Sequence, residues 1–141
     1  MRSATAAARP VCRAAALLLL LGAVGCGARP YPVRGTVTLD DGTPVTAGMV
    51  SFETKDVEKP ITARGEIKPD GSYELGTYKP GDGALPGVYR VAVTPAAQSP
   101  DLPATKPTYD ERYTSFATSG LEFEVKAASN ECPIKLAPRR K

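Results

Sequence analysis

The chain alternates apolar and polar residues in short runs, and a Gly or Pro turn signal ends most of these runs. Alternation places every second side chain on one face of a strand, whereas an amphipathic helix needs apolar residues three and four positions apart. The turn signals recur about every ten residues, a spacing typical of β-sandwiches and β-barrels. The pattern therefore predicts an all-β sandwich with seven strands: a first strand with Val33, Val37 and Leu39 on one face, then Gly48–Thr54, Ile61–Ile67, Ser72–Leu75, Val88–Thr94, Leu121–Val125 and Ile134–Leu136.

Certain glycine and tyrosine residues are interpreted as structural. Gly35 relieves crowding in the first strand or permits a bulge there, and Gly42 and Gly71 supply the positive φ that tight turns require. Tyr73 and Tyr89 are expected to bury their rings and to keep their hydroxyl groups near the edge of the sandwich. None of these residues is predicted to take part in catalysis.

A long segment, residues 95–118, interrupts the strand pattern. Four prolines in this segment cannot donate to a sheet ladder and argue against a central strand. A loop of this length in a compact domain is usually functional or disordered. Its aromatic residues, Tyr109, Tyr113 and Phe116, indicate that its second half packs against the edge of the sandwich. The same three residues are the candidate ligand contacts of the chain.

The first 25 residues differ from the rest of the chain. Arg2, Arg9 and Arg13 form a basic region without acidic residues, and the apolar run 14–21 follows it. This run is shorter than the roughly 20 residues that span a bilayer. A basic region, an apolar run and small residues, in this order, are typical of a secretory signal peptide. The tetrapeptide AVGC, which ends at Cys26, resembles the lipobox of bacterial lipoproteins, with Ala where Leu is preferred.

This resemblance implies that residues 1–25 are cleaved off as a signal peptide and that Cys26 is the lipidation site. Residues 26–32 would then form the acylated N-terminus and a short linker. Gly27 stands where an Asp favours inner-membrane retention in enterobacterial lipoproteins. The resemblance therefore implies the outer membrane, at its periplasmic face or at the cell surface. The alternative is an ordinary secretory signal that is cleaved nearby, with Cys26 incidental.

The charge of the chain does not favour a nucleic-acid partner. The leader holds three of the 18 Lys and Arg residues, so the remaining 15 balance the 15 Asp and Glu residues. The basic pI of the full chain is therefore no sign of a nucleic-acid footprint. The basic tail, residues 139–141, is interpreted as a solvated terminus. Contact of this tail with anionic lipid headgroups is the alternative.

Six segments carry a family resemblance: VRGTV at 33–37, DGTPV at 41–45, VSF at 50–52, DGSYEL at 70–75, PGVYRVAV at 86–93 and TSGLEFEV at 118–125. In this order they resemble carboxypeptidase regulatory-like domains, which have a transthyretin-like (prealbumin-like) β-sandwich. The last segment also resembles the final strands of small bacterial lipoproteins built on this domain. The resemblance implies one sandwich domain over residues 33–138.

Two residue types that catalytic and ligand-binding sites often use are missing from the sequence. The chain has no His, which is the commonest general base and transition-metal ligand, and no Trp. Asp40, Asp41, Asp70 and Asp82 lie in or beside turns that contain Gly. They are interpreted as turn residues, because calcium needs six to eight oxygen ligands converging on one point. No enzymatic activity, metal or cofactor is therefore predicted.

Two further groups of residues are interpreted as structural. Glu122 and Glu124 share one face of a strand and are expected to be solvated. Cys132 is the one Cys left after the leader and Cys26, so no intrachain disulfide is available to the mature chain. It is expected to be buried as a small hydrophobic residue, with a reactive thiol as the alternative.

The sequence favours a non-enzymatic envelope protein that serves as a structural or protein-interaction module and binds the membrane through acyl chains on Cys26. One alternative is a carbohydrate- or peptidoglycan-binding module that uses Tyr109, Tyr113 and Phe116. The other is a docking lipoprotein of a larger envelope complex, which rests on fold analogy. The expected partner is accordingly a membrane, with an envelope protein or a glycan as a second partner.

Overall fold

The computed structural model describes residues 27–97 and 106–140. The predicted signal peptide, Cys26 and Lys141 lie outside these ranges. The described part contains eight strands and one 3₁₀ helix: β1 Val33–Leu39, β2 Met49–Thr54, β3 Thr62–Glu66, β4 Ser72–Glu74, β5 Gly87–Thr94, the 3₁₀ helix Glu111–Thr114, β6 Leu121–Val125, β7 Asn130–Glu131 and β8 Ile134–Leu136. Within these residues no helix has the length and hydropathy needed to cross a membrane.

The strands form two sheets of four strands each. In the first sheet β1 lies antiparallel to β4 on one side and parallel to β7 and β8 on the other. β7 pairs with the start of β1 and β8 with its end, so the two strands follow one another along the same edge. The second sheet is antiparallel throughout, in the order β3-β2-β5-β6. The predicted all-β fold is confirmed, and the two sheets are compatible with a sandwich.

The buried faces of the strands form one hydrophobic core. Alternation predicts its members: Tyr89, Val91 and Val93 on β5 are all buried, and so is Phe52 on β2. The ring centroid of Phe52 lies 5.9 Å from those of both Tyr89 and Phe123. Tilted and edge-on aromatic pairs attract each other at such distances.

Two core tyrosines bond to the main chain. The hydroxyl of Tyr73 donates to the carbonyl of Cys132 at 2.7 Å, and the hydroxyl of Tyr89 donates to the carbonyl of Leu85 at 2.9 Å. The rings are buried as predicted, and both hydroxyl groups bond to main-chain carbonyls. Burial raises the pKa of both hydroxyl groups.

Gly35 has the structural role expected of it. A Cβ atom at this position would lie 2.0 Å from the carbonyl oxygen of Cys132. The close approach of β1 to the segment between β7 and β8 therefore leaves no space for a side chain. Gly42 and Gly71 have φ values of 88° and 83°, in agreement with the predicted turns.

The structure adds one strand to the predicted set and shifts the ends of four others: β2 begins at Met49, β3 spans Thr62–Glu66, β4 ends at Glu74 and β5 begins at Gly87. β7 is an eighth strand of two residues, which is too short for alternation to reveal it. The third strand begins at Thr62, and Ile61 lies outside it with 36% of its surface exposed. The carbonyl of Ile61 accepts a main-chain hydrogen bond from Thr54, and its N–H donates to the Thr54 hydroxyl, so this residue belongs to the end of the β2–β3 hairpin.

Candidate functional site

The chain enters the fold a few residues after Cys26. Tyr31 and Ala84 exchange two main-chain hydrogen bonds of 2.8 and 2.9 Å. Gly83 permits this contact, because a Cβ atom there would lie 1.8 Å from the Tyr31 carbonyl oxygen. Five residue steps separate Cys26 from Tyr31, and such a segment spans at most about 17 Å when fully extended. A lipid group on Cys26 would therefore hold this end of the fold close to the bilayer.

Asn130 attaches the same linker to the turn between β6 and β7. Its main-chain N–H donates to the carbonyl of Pro32 at 2.9 Å. Its side-chain amide accepts from the N–H of Lys126 and donates to the carbonyls of Lys126 and Ala128, at 2.9, 3.0 and 2.6 Å. Asn130 is only 6% exposed. These hydrogen bonds replace the water partners that its side-chain amide loses on burial. The linker is thus fixed from Tyr31 onward.

Tyr109 and Tyr113, two of the three candidate ligand contacts, lie in the hydrophobic core. The Tyr109 hydroxyl donates to the carbonyl of Val93 at 3.1 Å, and burial raises its pKa to about 12. The Tyr113 hydroxyl accepts from the N–H of Ala137 at 3.2 Å and from the Arg112 guanidinium at 2.6 Å. Both side chains are almost fully buried, with 2% and 5% of their surfaces exposed, and Tyr109 also lines a pocket of about 210 Å³. The second half of the loop packs on the sandwich edge, as the sequence predicts.

Phe116, the third candidate, is half-buried beside a groove on the outer face of the second sheet. The groove has a volume of about 660 Å³, within the usual range for a small-molecule site, and its other walls include Met49, Ser51, Arg64, Glu66, Ala92 and Thr114. Ser51 and Ala92 are paired across β2 and β5. Because both residues are small and face outward, they leave space above the sheet. Small residues at outward strand positions are the sequence signal that could have predicted the groove.

Cys132 is free and buried, which confirms the sequence interpretation. Burial raises the pKa of its thiol. A thiol of raised pKa carries little of the nucleophilic thiolate at neutral pH. Cys132 therefore has the environment of a packing residue.

Two predicted turn carboxylates stabilise their own turns. Asp41 accepts the N–H of Thr43 at 2.8 Å, and Asp70 accepts the N–H and the hydroxyl of Ser72 at 2.9 and 2.6 Å. The main-chain hydrogen bond from Thr43 lowers the pKa of Asp41, and the hydroxyl of Ser72 lowers that of Asp70. Their assignment as turn residues is confirmed.

Asp82 organises the loop between β4 and β5. Its carboxylate accepts main-chain N–H groups from Thr77 at 2.7 Å and from Tyr78 and Lys79 at 3.2 Å each. This arrangement fixes the main chain at Tyr78, whose side chain is 68% exposed. Over residues 27–97 and 106–140, no group of three acidic, Cys or His side chains converges as metal ligands would.

Charged residues on the outer face of the second sheet form ion pairs across strands. Arg90 lies 2.7 Å from Glu53, and Lys55 lies 2.6 Å from Glu122. Glu122 and Glu124 are both exposed, which agrees with the predicted solvated face. Ion pairs this exposed contribute about 0–1 kcal/mol each. They keep the face polar and supply no acid–base pair.

Comparison of the chain with protein-family models, curated proteins and solved structures found no match. The class of the protein is therefore defined by its fold alone, as an all-β protein of two four-stranded sheets.

Proposed function

We propose that this chain is a non-enzymatic lipoprotein of the bacterial cell envelope, held at the outer membrane by acyl chains on Cys26. The position of Cys26 carries the proposal. A signal-peptide pattern precedes it, and the first strand begins seven positions after it at Val33. Every described strand lies behind Cys26, so cleavage before this residue would retain all of them.

The domain that follows serves, in this proposal, as a structural or protein-interaction module with a transthyretin-like sandwich. Two observations support this kind of fold. The strands divide into two four-stranded sheets around one core. The Tyr89 hydroxyl bonds to the carbonyl of Leu85 just before β5, an arrangement similar to the tyrosine corner of Greek-key sandwiches.

The residues of the domain favour binding over catalysis. The chain has no His, and the carboxylates of Asp41, Asp70 and Asp82 accept hydrogen bonds within their own loops. A general base must lie within hydrogen-bond reach of the substrate proton. These carboxylates instead have local structural partners.

Metabolic labelling with a radioactive fatty acid tests the anchor. The wild-type protein is expected to incorporate label, and Cys26→Ser is expected to lose it. Cys132→Ala is the matched control, because it removes a thiol that is buried in the fold, and it should keep the label. Equal labelling of wild type and Cys26→Ser would refute the anchor.

The groove beside Phe116 favours a second candidate function, the binding of a carbohydrate or of peptidoglycan. A half-buried ring beside Arg64 and Glu66 offers both a stacking surface and polar partners. A glycan array, which includes peptidoglycan fragments, would test this function. Phe116→Ala should abolish binding, and Tyr78→Ala, an exposed aromatic residue outside the groove, should leave it unchanged. Absence of any bound glycan would exclude this second candidate function.

A further inference from the structure

Four loops or segments lie at one end of the fold, which we name the anchor-proximal end: residues 27–32, 55–61, 76–86 and 126–129. Hydrogen bonds connect them in series. Tyr31 bonds to Ala84, and Asn130 joins the linker to the 126–129 turn. Gly87, which follows the third segment, pairs with Val125. The N–H of Lys55 donates to the carbonyl of Val88 at 2.9 Å, which adds the 55–61 loop.

The exposed large hydrophobic side chains of the described residues are all found at this end. They are Tyr78 at 68% exposure, Val57 at 48%, Val88 at 46% and Ile61 at 36%. Val57 and Tyr78 lie in loops, and Ile61 and Val88 lie at or beside the first residues of their strands. Single exposed apolar residues are normal on a protein surface. All four exposed side chains, however, lie at the same end of the sandwich, which calls for a physical explanation.

The charge of this end is compatible with phospholipid headgroups. The four segments contain five basic residues (Arg29, Lys55, Lys59, Lys79 and Lys126) and three acidic ones (Asp56, Glu58 and Asp82). Lys55 is paired with Glu122 at 2.6 Å, so the unpaired basic residues of these segments exceed the acidic ones by one. A small basic excess around exposed apolar and tyrosine side chains suits the interfacial region of a bilayer.

We propose that the anchor-proximal end lies directly on the lipid bilayer into which the acyl chains of Cys26 insert, with Tyr78 and Val57 in the headgroup region. This inference rests on the proposed lipid anchor. The linker reaches at most about 17 Å from Cys26 to Tyr31, so the acylated residue leaves the fold at the end that carries these side chains. Tyrosine is enriched at membrane interfaces because its ring is apolar and its hydroxyl group stays hydrated.

The contact sets the orientation of the whole domain. β1 spans about 20 Å, and its other end leads to the 40–48 loop, which points away from the bilayer in this orientation. The groove beside Phe116 includes Gly48 and Met49. In this orientation the groove opens sideways from the outer face of the second sheet, in the half of the domain that lies farther from the lipid, where a partner could reach it.

The absence of Trp from the chain permits a direct test. Tyr78→Trp and Val57→Trp each place a single fluorescent reporter at the anchor-proximal end. Thr46→Trp is the matched control, since Thr46 is exposed in the 40–48 loop at the opposite end. Each full-length protein is produced in bacteria, checked for acylation by mass, and reconstituted into phosphatidylethanolamine–phosphatidylglycerol vesicles. A second set of vesicles contains lipids brominated near the headgroup.

The Tyr78→Trp and Val57→Trp proteins should show a blue shift and lose most of their emission in brominated vesicles, whereas the Thr46→Trp protein should keep its emission. Acylated protein that floats with vesicles but shows no quenching at positions 57 and 78, or equal quenching at position 46, would overturn the orientation and leave the anchor intact. Protein without acyl mass would overturn the anchor and the orientation together.

Discussion

Replacement of Gly35 by Ala should destabilise the protein, although Ala normally stabilises the interior of a strand relative to Gly. The new Cβ would lie 2.0 Å from the carbonyl oxygen of Cys132 and 3.0 Å from Cε1 of Tyr73. Two hydrogen bonds hold Cys132 in place: its carbonyl oxygen accepts the Tyr73 hydroxyl at 2.7 Å, and its N–H donates to the carbonyl of Arg34 at 2.8 Å. The methyl group therefore fits only if the β7–β8 segment moves away from β1.

The expected cost follows from these contacts. Overpacking of a close contact costs about 1–3 kcal/mol, and loss of the buried Tyr73 hydrogen bond adds about 1 kcal/mol. The lower backbone entropy of Ala recovers about 0.5–1 kcal/mol. The net loss in the free energy of unfolding is then about 1–3.5 kcal/mol, which corresponds to a decrease of about 5–15 °C in Tm for a domain of this size.

Thermal and urea unfolding, followed by far-ultraviolet circular dichroism, would measure this loss. Gly27→Ala is the matched control, because no atom lies within 4 Å of the added Cβ, and its midpoint should not change. A Gly35→Ala protein as stable as wild type, or more stable, would refute the close approach of β1 to Cys132.

Two further predictions concern buried and turn hydrogen bonds. Burial raises the pKa of the Tyr73 hydroxyl in the folded protein. Tyr73 therefore stabilises the fold fully below the pKa of about 10 that it has in the unfolded chain, and this stabilisation declines as the pH rises further. Tyr73→Phe should lower Tm at pH 7 but flatten the decline of Tm between pH 9 and pH 11, and an unchanged alkaline slope would contradict this. Asp82→Ala should lower the free energy of unfolding, measured in urea, by about 1–2 kcal/mol, because three main-chain N–H groups lose their acceptor. Asp82→Asn keeps one oxygen acceptor and should lower it less. Equal decreases for the two variants would contradict the role of the carboxylate in ordering its loop.

The local parts of the fold could be predicted from the sequence because they depend on neighbouring residues. Alternation predicts β5, where Tyr89, Val91 and Val93 face the core. Gly71 marks a tight turn through its backbone freedom. The burial of Cys132 follows from the usual environment of a free thiol. None of these predictions requires knowledge of contacts between distant residues.

The remaining features depend on contacts between distant parts of the chain. β7 has two residues and exists only because it pairs with Val33 and Arg34. Tyr109 is buried because its ring packs in the core, where its hydroxyl bonds to the carbonyl of Val93. A sequence pattern cannot distinguish such a buried ring from an exposed ring that could contact a ligand. Val57 and Tyr78 likewise come together at the anchor-proximal end only when the two sheets have assembled.

The anchor on Cys26 is tested most directly by intact-mass measurement of the protein extracted from bacterial membranes. The expected species is a polypeptide that begins at Cys26 and is heavier than its amino-acid sequence by the mass of a diacylglyceryl group, with or without a further acyl chain on its amino terminus. A chain that begins at another residue, or one in which Cys26 carries an unmodified thiol, would contradict the lipoprotein assignment.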